Sequence, residues 1–249
     1  MVMAKDKAYK LLAIQEGISN TKAKELIDKG LVSVEGKKLV VARGELKDTA
    51  VFKIKELPKV KVIFENDEII AVDKPAYMNA SEVEHQFPKA KLLNRLDKET
   101  SGVMLLSVNE EFRGKAIKEF MDKKVYKEYV AVVEGKVIED FEVDMPILTI
   151  KGKTAKSKID LIKGKEAKTI VTPYMVEGNK SKIKIVIEDG RTHQIRVHLQ
   201  YAGFPIIGDL QYGKPSNQVH RVMLHSKVTR ILGYEFQAKE PKEFYHFGF

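Results

Sequence analysis

The sequence contains no cysteine. That excludes disulfide frameworks, thiolate nucleophiles and cysteine zinc sites, and leaves the chemistry to oxygen and nitrogen groups. No run approaches the roughly 20 apolar residues of a membrane span. The opening Met1-Val2-Met3-Ala4-Lys5-Asp6-Lys7 is charged where a signal peptide carries an apolar core. A cytoplasmic protein with no membrane partner is the expectation. The glycine patterns of phosphate-binding and dinucleotide-binding loops are also missing, so nothing points to nucleotide hydrolysis or hydride transfer.

What is present is a chain of 249 residues, 43% hydrophobic and 32% charged, long enough for one sizeable core plus a small module. Its net charge of +9 favours a polyanionic partner, because lysine and arginine set against phosphates release counterions. Nucleic acid leads, ahead of an anionic membrane surface. A basic, solvated surface gives the same charge, so charge alone decides nothing.

The chain reads as two modules, 1–57 and 58–249. In the first, Ala8, Leu11 and Leu12 recur at helical spacing until Gly17, and Ser19-Asn20-Thr21 offer caps for a second helix from Thr21 to Lys29. In that helix Ala23, Leu26 and Ile27 share one face, Lys22, Lys24 and Lys29 lie elsewhere, and Gly30 supplies the stop. Leu31–Val34 and Lys38–Val41 flank a Glu35-Gly36-Lys37 turn, and Val51–Ile54 gives a third alternating run. This module carries 12 Lys+Arg against 8 Asp+Glu, so both modules are basic. The boundary is expected at Lys55-Glu56-Leu57-Pro58, where proline and charge interrupt the strand pattern.

In the second module Val60–Phe64 and Ile69–Val72 predict a strand pair around a polar turn. Further strands are predicted over Val103–Val108, Lys127–Val133, Lys168–Val176 and Ser181–Ile187, with helices near Glu110–Lys123 and Thr192–Ala202. The order predicts an α+β fold with a mixed, largely antiparallel sheet and flanking helices, without regular βαβ alternation. Lys151 through Lys168 holds seven lysines. They read as solvated, edge-protecting strand faces, with RNA-backbone contact as the other reading.

Three segments carry candidate chemistry. In Leu92-Leu93-Asn94-Arg95-Leu96-Asp97-Lys98-Glu99-Thr100-Ser101-Gly102 a carboxylate and an arginine two residues apart sit in a turn between apolar runs. Taken alone, such an aspartate is a turn or cap residue. If the loop is extended, Arg95 and Asp97 point the same way, which lets Arg95 hold a nearby phosphate. In Lys127-Glu128-Tyr129-Val130-Ala131-Val132-Val133-Glu134-Gly135, alternation sets Lys127, Tyr129 and Ala131 on one face, a pattern equally suited to a core tyrosine. In Asp189-Gly190-Arg191-Thr192-His193-Gln194-Ile195-Arg196-Val197-His198-Leu199, Thr192 can cap a helix that packs Ile195 and Leu199 inward and presents His193, Arg196 and Gln200 together. Arg191 and the helix N-terminus would bind phosphate. An ordinary amphipathic helix has the same spacing. His193 and His198 are five apart and so face different ways, and with no obvious carboxylate to complete a triad no metal site is expected.

Together these segments resemble pseudouridine synthases of the RluA type. The family's His-Arg-Leu-Asp-x-x-Thr-Ser-Gly loop matches with Asn94 in place of the histidine. Its Lys-x-Tyr-x-Ala-x-Val-x-Gly strand matches at Lys127–Gly135, and its third motif at Arg191–Tyr212. Val62–Pro75 and Arg221 through His225-Ser226 extend the likeness across nearly the whole second module. Tyr77-Met78-Asn79-Ala80-Ser81 stands where the family often has a glycine-led turn. The first module resembles an S-four-type RNA-binding domain, best over Lys22–Lys37, with Ser19-Asn20-Thr21-Lys22 where that family often has Ser-Arg-Ser.

The resemblance implies a pseudouridine synthase fold and isomerisation of uridine in structured RNA, large-subunit ribosomal RNA first and transfer RNA second, with no cofactor or metal. Asp97 takes the place of the catalytic aspartate, Tyr129 stacks on the flipped uracil, and Arg196 holds the Asp97 carboxylate with its planar fork. Arg95, Lys127, Arg191, His193, Lys22 and Lys24 are the expected RNA contacts, and a monomer is the expected state. A noncatalytic RNA-binding or ribosome-assembly factor and a nucleoside hydrolase are the rivals, the latter lacking an identifiable paired acid.

Overall fold

The structure of the protein is a computed structural model, which describes residues 5–28, 30–39, 41–54, 59–150, 152, 155–214, 216, 219 and 221–249. The chain divides into two compact units, Met1–Lys59 and Val60–Phe249. The segment 55–58 read as the boundary lies outside the described residues.

The first unit runs β1 (Lys5–Lys7), α1 (Ala8–Glu16), α2 (Asn20–Asp28), β2 (Val32–Val34), β3 (Lys37–Lys38), β4 (Glu45–Lys47) and β5 (Phe52–Ile54). Gly17 ends α1 at φ 63° and Gly30 follows α2 at φ 67°, the left-handed stops expected from sequence. Ser19 Oγ accepts the Lys22 N–H at 3.1 Å and so caps α2. The helices bury Ala8, Leu12, Ala23 and Ile27 against Val32 and Phe52. The second run of the predicted hairpin, Lys38–Val41, is shorter than expected, with β3 spanning only Lys37–Lys38. Val41 lies outside any strand, and Val40 lies outside the described residues. The pair β1–β4, joined at Lys5↔Lys47, was not anticipated, because β1 (Lys5-Asp6-Lys7) has no apolar residue and β4 is only three residues long.

The second unit contains β6 (Lys61–Glu65), β7 (Ile69–Lys74), α3 (Ala80–Glu84), β8 (Lys91–Leu92), β9 (Ser101–Ser107), α4 (Glu110–Met121) and β10 (Tyr126–Glu134). It continues through β11 (Phe141–Asp144), β12 (Ile147–Ile150), β13 (Lys156–Ile159), β14 (Lys168–Glu177), β15 (Lys180–Ile187), α5 (Gln194–Tyr201), β16 (Leu224–Ile231) and β17 (Tyr234–Gln237), with a short 3-10 turn at Lys242–Phe247. Among the described residues the main sheet follows the order β11-β14-β15-β10-β16-β9-β7-β6, with β17 on β16 and β8 on β9. Every pairing is antiparallel except β16 with β9. The strands β12 and β13 form a separate hairpin.

Both faces of the central strands are covered, which is why β9 reads as an unbroken apolar run. Met104 and Leu106 of β9 join Ile70 and Val72 of β7 in the larger core, with Val130, Ile183 and Leu199. Val103 and Leu105 point the other way with Ile69 and Ala71, against Phe112 and Ala116 of α4.

Gly102 sets the position of everything that follows. It adopts φ 111°, and a Cβ there would lie 2.0 Å from the Ser226 carbonyl oxygen. Only glycine lets β9 run this close beside β16. That approach places the end of the 93–100 loop beside Ser226, whose other neighbour across β10 is Tyr129.

Candidate active site

The Asp97 loop is held at several backbone points. Asn94 Oδ1 accepts the Leu105 N–H at 2.8 Å, beside a Leu93 N–H to Leu105 carbonyl bond of 2.9 Å, so the loop's start is stitched to β9. The amide standing where the resembling family keeps histidine therefore has a definite anchoring role. Asp97 closes the turn by accepting the Thr100 N–H on its carbonyl at 3.1 Å.

From below, Lys74 is fully buried and donates to the carbonyls of Met78 at 2.8 Å, Pro75 at 3.0 Å and Lys98 at 3.3 Å. It thereby joins the 75–78 turn to the Asp97 loop. Burial pushes its ammonium down to about 7, and the three carbonyls supply acceptors for all three protons of the charged form. Tyr77 in that turn adopts φ 69°, the left-handed conformation that a glycine-led turn takes without strain, and its N–H bonds the Lys98 carbonyl at 2.6 Å.

Arg196 projects from α5 and is 3% exposed. Its Nε and Nη2 form a two-pronged pair with Asp209 Oδ2 and Oδ1 at 2.7 and 2.9 Å, and its Nη1 stands 3.5 Å from Asp97 Oδ2 and 3.6 Å from Glu99 Oε2. The expectation that the fork embraces Asp97 is therefore corrected. The fork belongs to Asp209, and Asp97 receives the remaining nitrogen. Burial opposes the charge of Arg196, but the Asp209 hydrogen bonds and the Asp97 and Glu99 charges more than offset it and hold the group above its ordinary value. Burial pushes Asp209 up, and Arg196 with the amides of Gln211 and Tyr212 brings it net below the usual carboxylate range. Nothing in the spacing of Gly208-Asp209 revealed this pairing, because it is formed across a turn 13 residues from Arg196.

Tyr129 is 8% exposed and borders the same cleft. Burial pushes its phenol up to about 12, with the Asp97 charge adding to the shift and a hydrogen bond from Ser226 opposing it. It is a neutral, buried ring at the cleft wall, within electrostatic reach of Asp97.

His193 differs from its predicted place. It precedes α5 at φ 56° and is not in the helix, and it, not Thr192, stands at the N-cap, with no side-chain cap bond; the Gln194 side chain folds back to accept the Arg191 N–H at 3.0 Å. The left-handed turn still aims the ring at the site, with Nε2 3.9 Å from Asp97 Oδ2. Burial keeps the imidazole below its ordinary value, so it is neutral at neutral pH and this contact is not an ion pair. Gln200, expected on the same face, is exposed. His198 is buried elsewhere, bonded to Thr169 Oγ1 and the Met145 carbonyl, each at 2.9 Å.

Lys127 also departs from expectation. It is 6% exposed, and its Nζ meets the Glu188 carbonyl at 2.6 Å and the Asp189 carbonyl at 3.3 Å. Alternation aims it toward the cleft, but its length carries the ammonium to those carbonyls. It supports the 188–191 loop instead of presenting a surface cation, and burial pushes it down to about 8. Arg191 is partly exposed, with Nε on the Glu166 carbonyl at 2.9 Å and Nη2 3.5 Å from Asp189. Arg95 is exposed at the mouth. In the first unit Lys22 is exposed 3.7 Å from Glu25, and Lys24 lies over the Tyr9 ring at 4.2 Å.

Asn94, Asp97, Tyr129, Arg191, His193 and Arg196 line one open cleft of about 900 Å³. A carboxylate against a buried guanidinium, an aromatic ring in the cleft wall and a basic rim suit a planar base attached to a polyanion. Among the described residues no group of three acidic or histidine side chains is placed to hold a metal ion, and no helix is long and apolar enough to cross a membrane.

Comparison with known proteins agrees with this geometry. The description "RNA pseudouridylate synthase" matches residues 68–201, from β7 through the whole of α5. An uncharacterized RNA pseudouridine synthase of Helicobacter pylori strain J99 is 50% identical over 240 residues, covering 96% of this chain and 99% of that protein. The ribosomal large subunit pseudouridine synthase D of Vibrio parahaemolyticus is 27% identical over 214 residues, covering 76% of this chain and 63% of that protein. The solved structure of human RNA pseudouridylate synthase domain containing 1 superposes with a TM-score of 0.65 at 25% identity, over 76% of this chain and 86% of that one. The matched span includes the Asp97 loop, the Tyr129 strand and the Arg196 helix that meet in the cleft, and the chain belongs to the RNA pseudouridylate synthase family.

Proposed function

We propose that this pseudouridine synthase acts on structured RNA, with large-subunit ribosomal RNA as its target, and that Asp97 is its catalytic carboxylate. The observation that carries the reading is the 3.5 Å approach of Arg196 Nη1 to Asp97 Oδ2 inside a cleft that also holds Tyr129. The reaction breaks the bond between C1′ and N1 of a uridine, turns the uracil and joins C1′ to C5. C5 loses its proton and N1 gains one, so nothing is consumed. Extruding the base costs a few kcal/mol, which phosphate contacts at the basic rim offset. Asp97 serves as the carboxyl group at the reacting sugar or ring, with Arg196 as its cationic neighbour. Tyr129 packs against the extruded uracil, a role suited to a neutral phenol. Arg95 and Arg191 meet phosphates, and His193 contacts the nucleotide.

The ribosomal target is supported by the named substrate of the Vibrio relative and by the net charge of +9. Residues 1–57 act as an S-four-type RNA-binding domain, supported by the helix-helix-strand order and by Lys22 and Lys24 on its second helix. Mapping pseudouridines in total RNA from cells with and without the gene tests both activity and target. Loss of specific large-subunit sites is expected; loss confined to transfer RNA overturns the target, and an unchanged map overturns the activity. A protein lacking residues 1–57 is expected to bind RNA more weakly, and equal affinity would make that unit a cap with no part in binding.

A further inference from the structure

We propose that Tyr212 is a positioning residue of the Asp97 site, its hydroxyl fixing the His193 imidazole with Nε2–H toward the carboxylate. The inference rests on the synthase reading and adds a residue to it.

Four contacts converge on Tyr212. The Ser157 N–H of β13 donates to its hydroxyl oxygen at 2.8 Å, and the same oxygen is 2.8 Å from His193 Nδ1. Its ring lies 5.1 Å from the Arg196 guanidinium, and its own N–H donates to Asp209 Oδ1 at 3.1 Å. With the Ser157 amide already donating to it, the hydroxyl gives its single proton to Nδ1. The imidazole proton then resides on Nε2, the nitrogen 3.9 Å from Asp97 Oδ2. A substrate hydroxyl can bridge the two from beside the 3.9 Å line that joins them, accepting from Nε2–H and donating to the carboxylate.

Ser157 holds the other side of the same turn, donating from Oγ to the Thr192 carbonyl at 2.7 Å. The hairpin β12–β13 thus grips His193 through its preceding carbonyl and through its ring partner. That double hold explains how a histidine persists at φ 56°. Burial keeps the ring neutral, the form in which the choice of nitrogen has a consequence.

The variant Tyr212→Phe isolates the hydroxyl, because the ring against Arg196 and the amide to Asp209 remain. Two-bond nitrogen–proton correlation spectra of the full chain report which nitrogen of His193 bears the proton. The wild type is expected to show Nε2–H, and Tyr212→Phe a mixture of both forms. Turnover on RNA is expected to fall about tenfold, the worth of one ordered hydrogen bond, with KM within about twofold. His193→Gln places an amide N–H near the position of Nε2, so adding it to Tyr212→Phe is expected to cause no further loss. A proton on Nδ1 in the wild type, an unchanged spectrum in Tyr212→Phe, or losses that add in the double variant overturns the proposal. The spectrum is read without turnover, so an inactive wild type would defeat the synthase reading while Tyr212 is still judged.

Discussion

Arg196 commits Nε and Nη2 to Asp209, at 2.7 and 2.9 Å, and reaches Asp97 only with Nη1, at 3.5 Å. The guanidinium is thus fixed by one carboxylate so that it can be presented to another. Removing the charge of Asp209 leaves a buried cation without its main partner, which costs about 3 kcal/mol or more. Asp209→Asn is expected to lower the unfolding free energy by about that amount in urea titration and to reduce turnover. Arg196→Lys is expected to cut turnover at least tenfold at nearly unchanged RNA affinity, since one ammonium cannot bridge Asp209 and Asp97 in this plane. Wild-type rates in both variants would remove the pair from the mechanism.

Asn94 Oδ1 is the acceptor that ties the Asp97 loop to Leu105 of β9. Asn94→Ala leaves that amide unmet, at a cost of about 1–2 kcal/mol, and loosens the loop. Asn94→Asp keeps an acceptor in the same place. Denaturation and kcat measured together should show loss in the first and recovery in the second, and equal values for the two would assign Asn94 no anchoring role.

His225 is buried, bonded through Nδ1 to Ser101 Oγ at 2.8 Å, and burial followed by the Arg221 charge depresses it from 6.5 to about 4. The unfolded chain takes up this proton near 6.5, whereas the folded chain refuses it until about 4. Between those values the unfolded state binds more protons, so stability falls as pH drops and the loss is complete below about 4. The part due to His225 is on the order of 3 kcal/mol. Urea unfolding across pH 4–7 should show a steeper acid loss in the wild type than in His225→Gln; parallel curves would contradict the assignment.

The parts legible in the sequence were those set by period and by turn residues. The strand β9 lies where an unbroken apolar run placed it, β10 where alternation did, and the Gly17 and Gly30 stops where left-handed glycines did. The convergence of Asp97, Tyr129 and Arg196 was carried by resemblance and not by spacing, since each motif alone fits an ordinary turn, strand or helix. The details that escaped depend on tertiary contacts. Thr192 has the right chemistry for a cap, yet the chain turns left-handed at His193, which shifts the helix start one residue on and takes the N-cap position from Thr192. The partner of the Arg196 fork is fixed by a turn at Asp209 whose own amides bond the carboxylate. Lys127 follows the predicted alternation, and only the reach of its four-carbon stem decides that it meets carbonyls instead of phosphate.

The central claim is that Asp97 performs the chemistry in a cleft whose other groups bind and orient the nucleotide. Purified Asp97→Asn, incubated with the target RNA and assayed for pseudouridine by mass spectrometry, tests it most directly, with RNA affinity measured on the same preparation. No product with affinity close to wild type is the predicted result, and measurable pseudouridine from that variant would contradict the account.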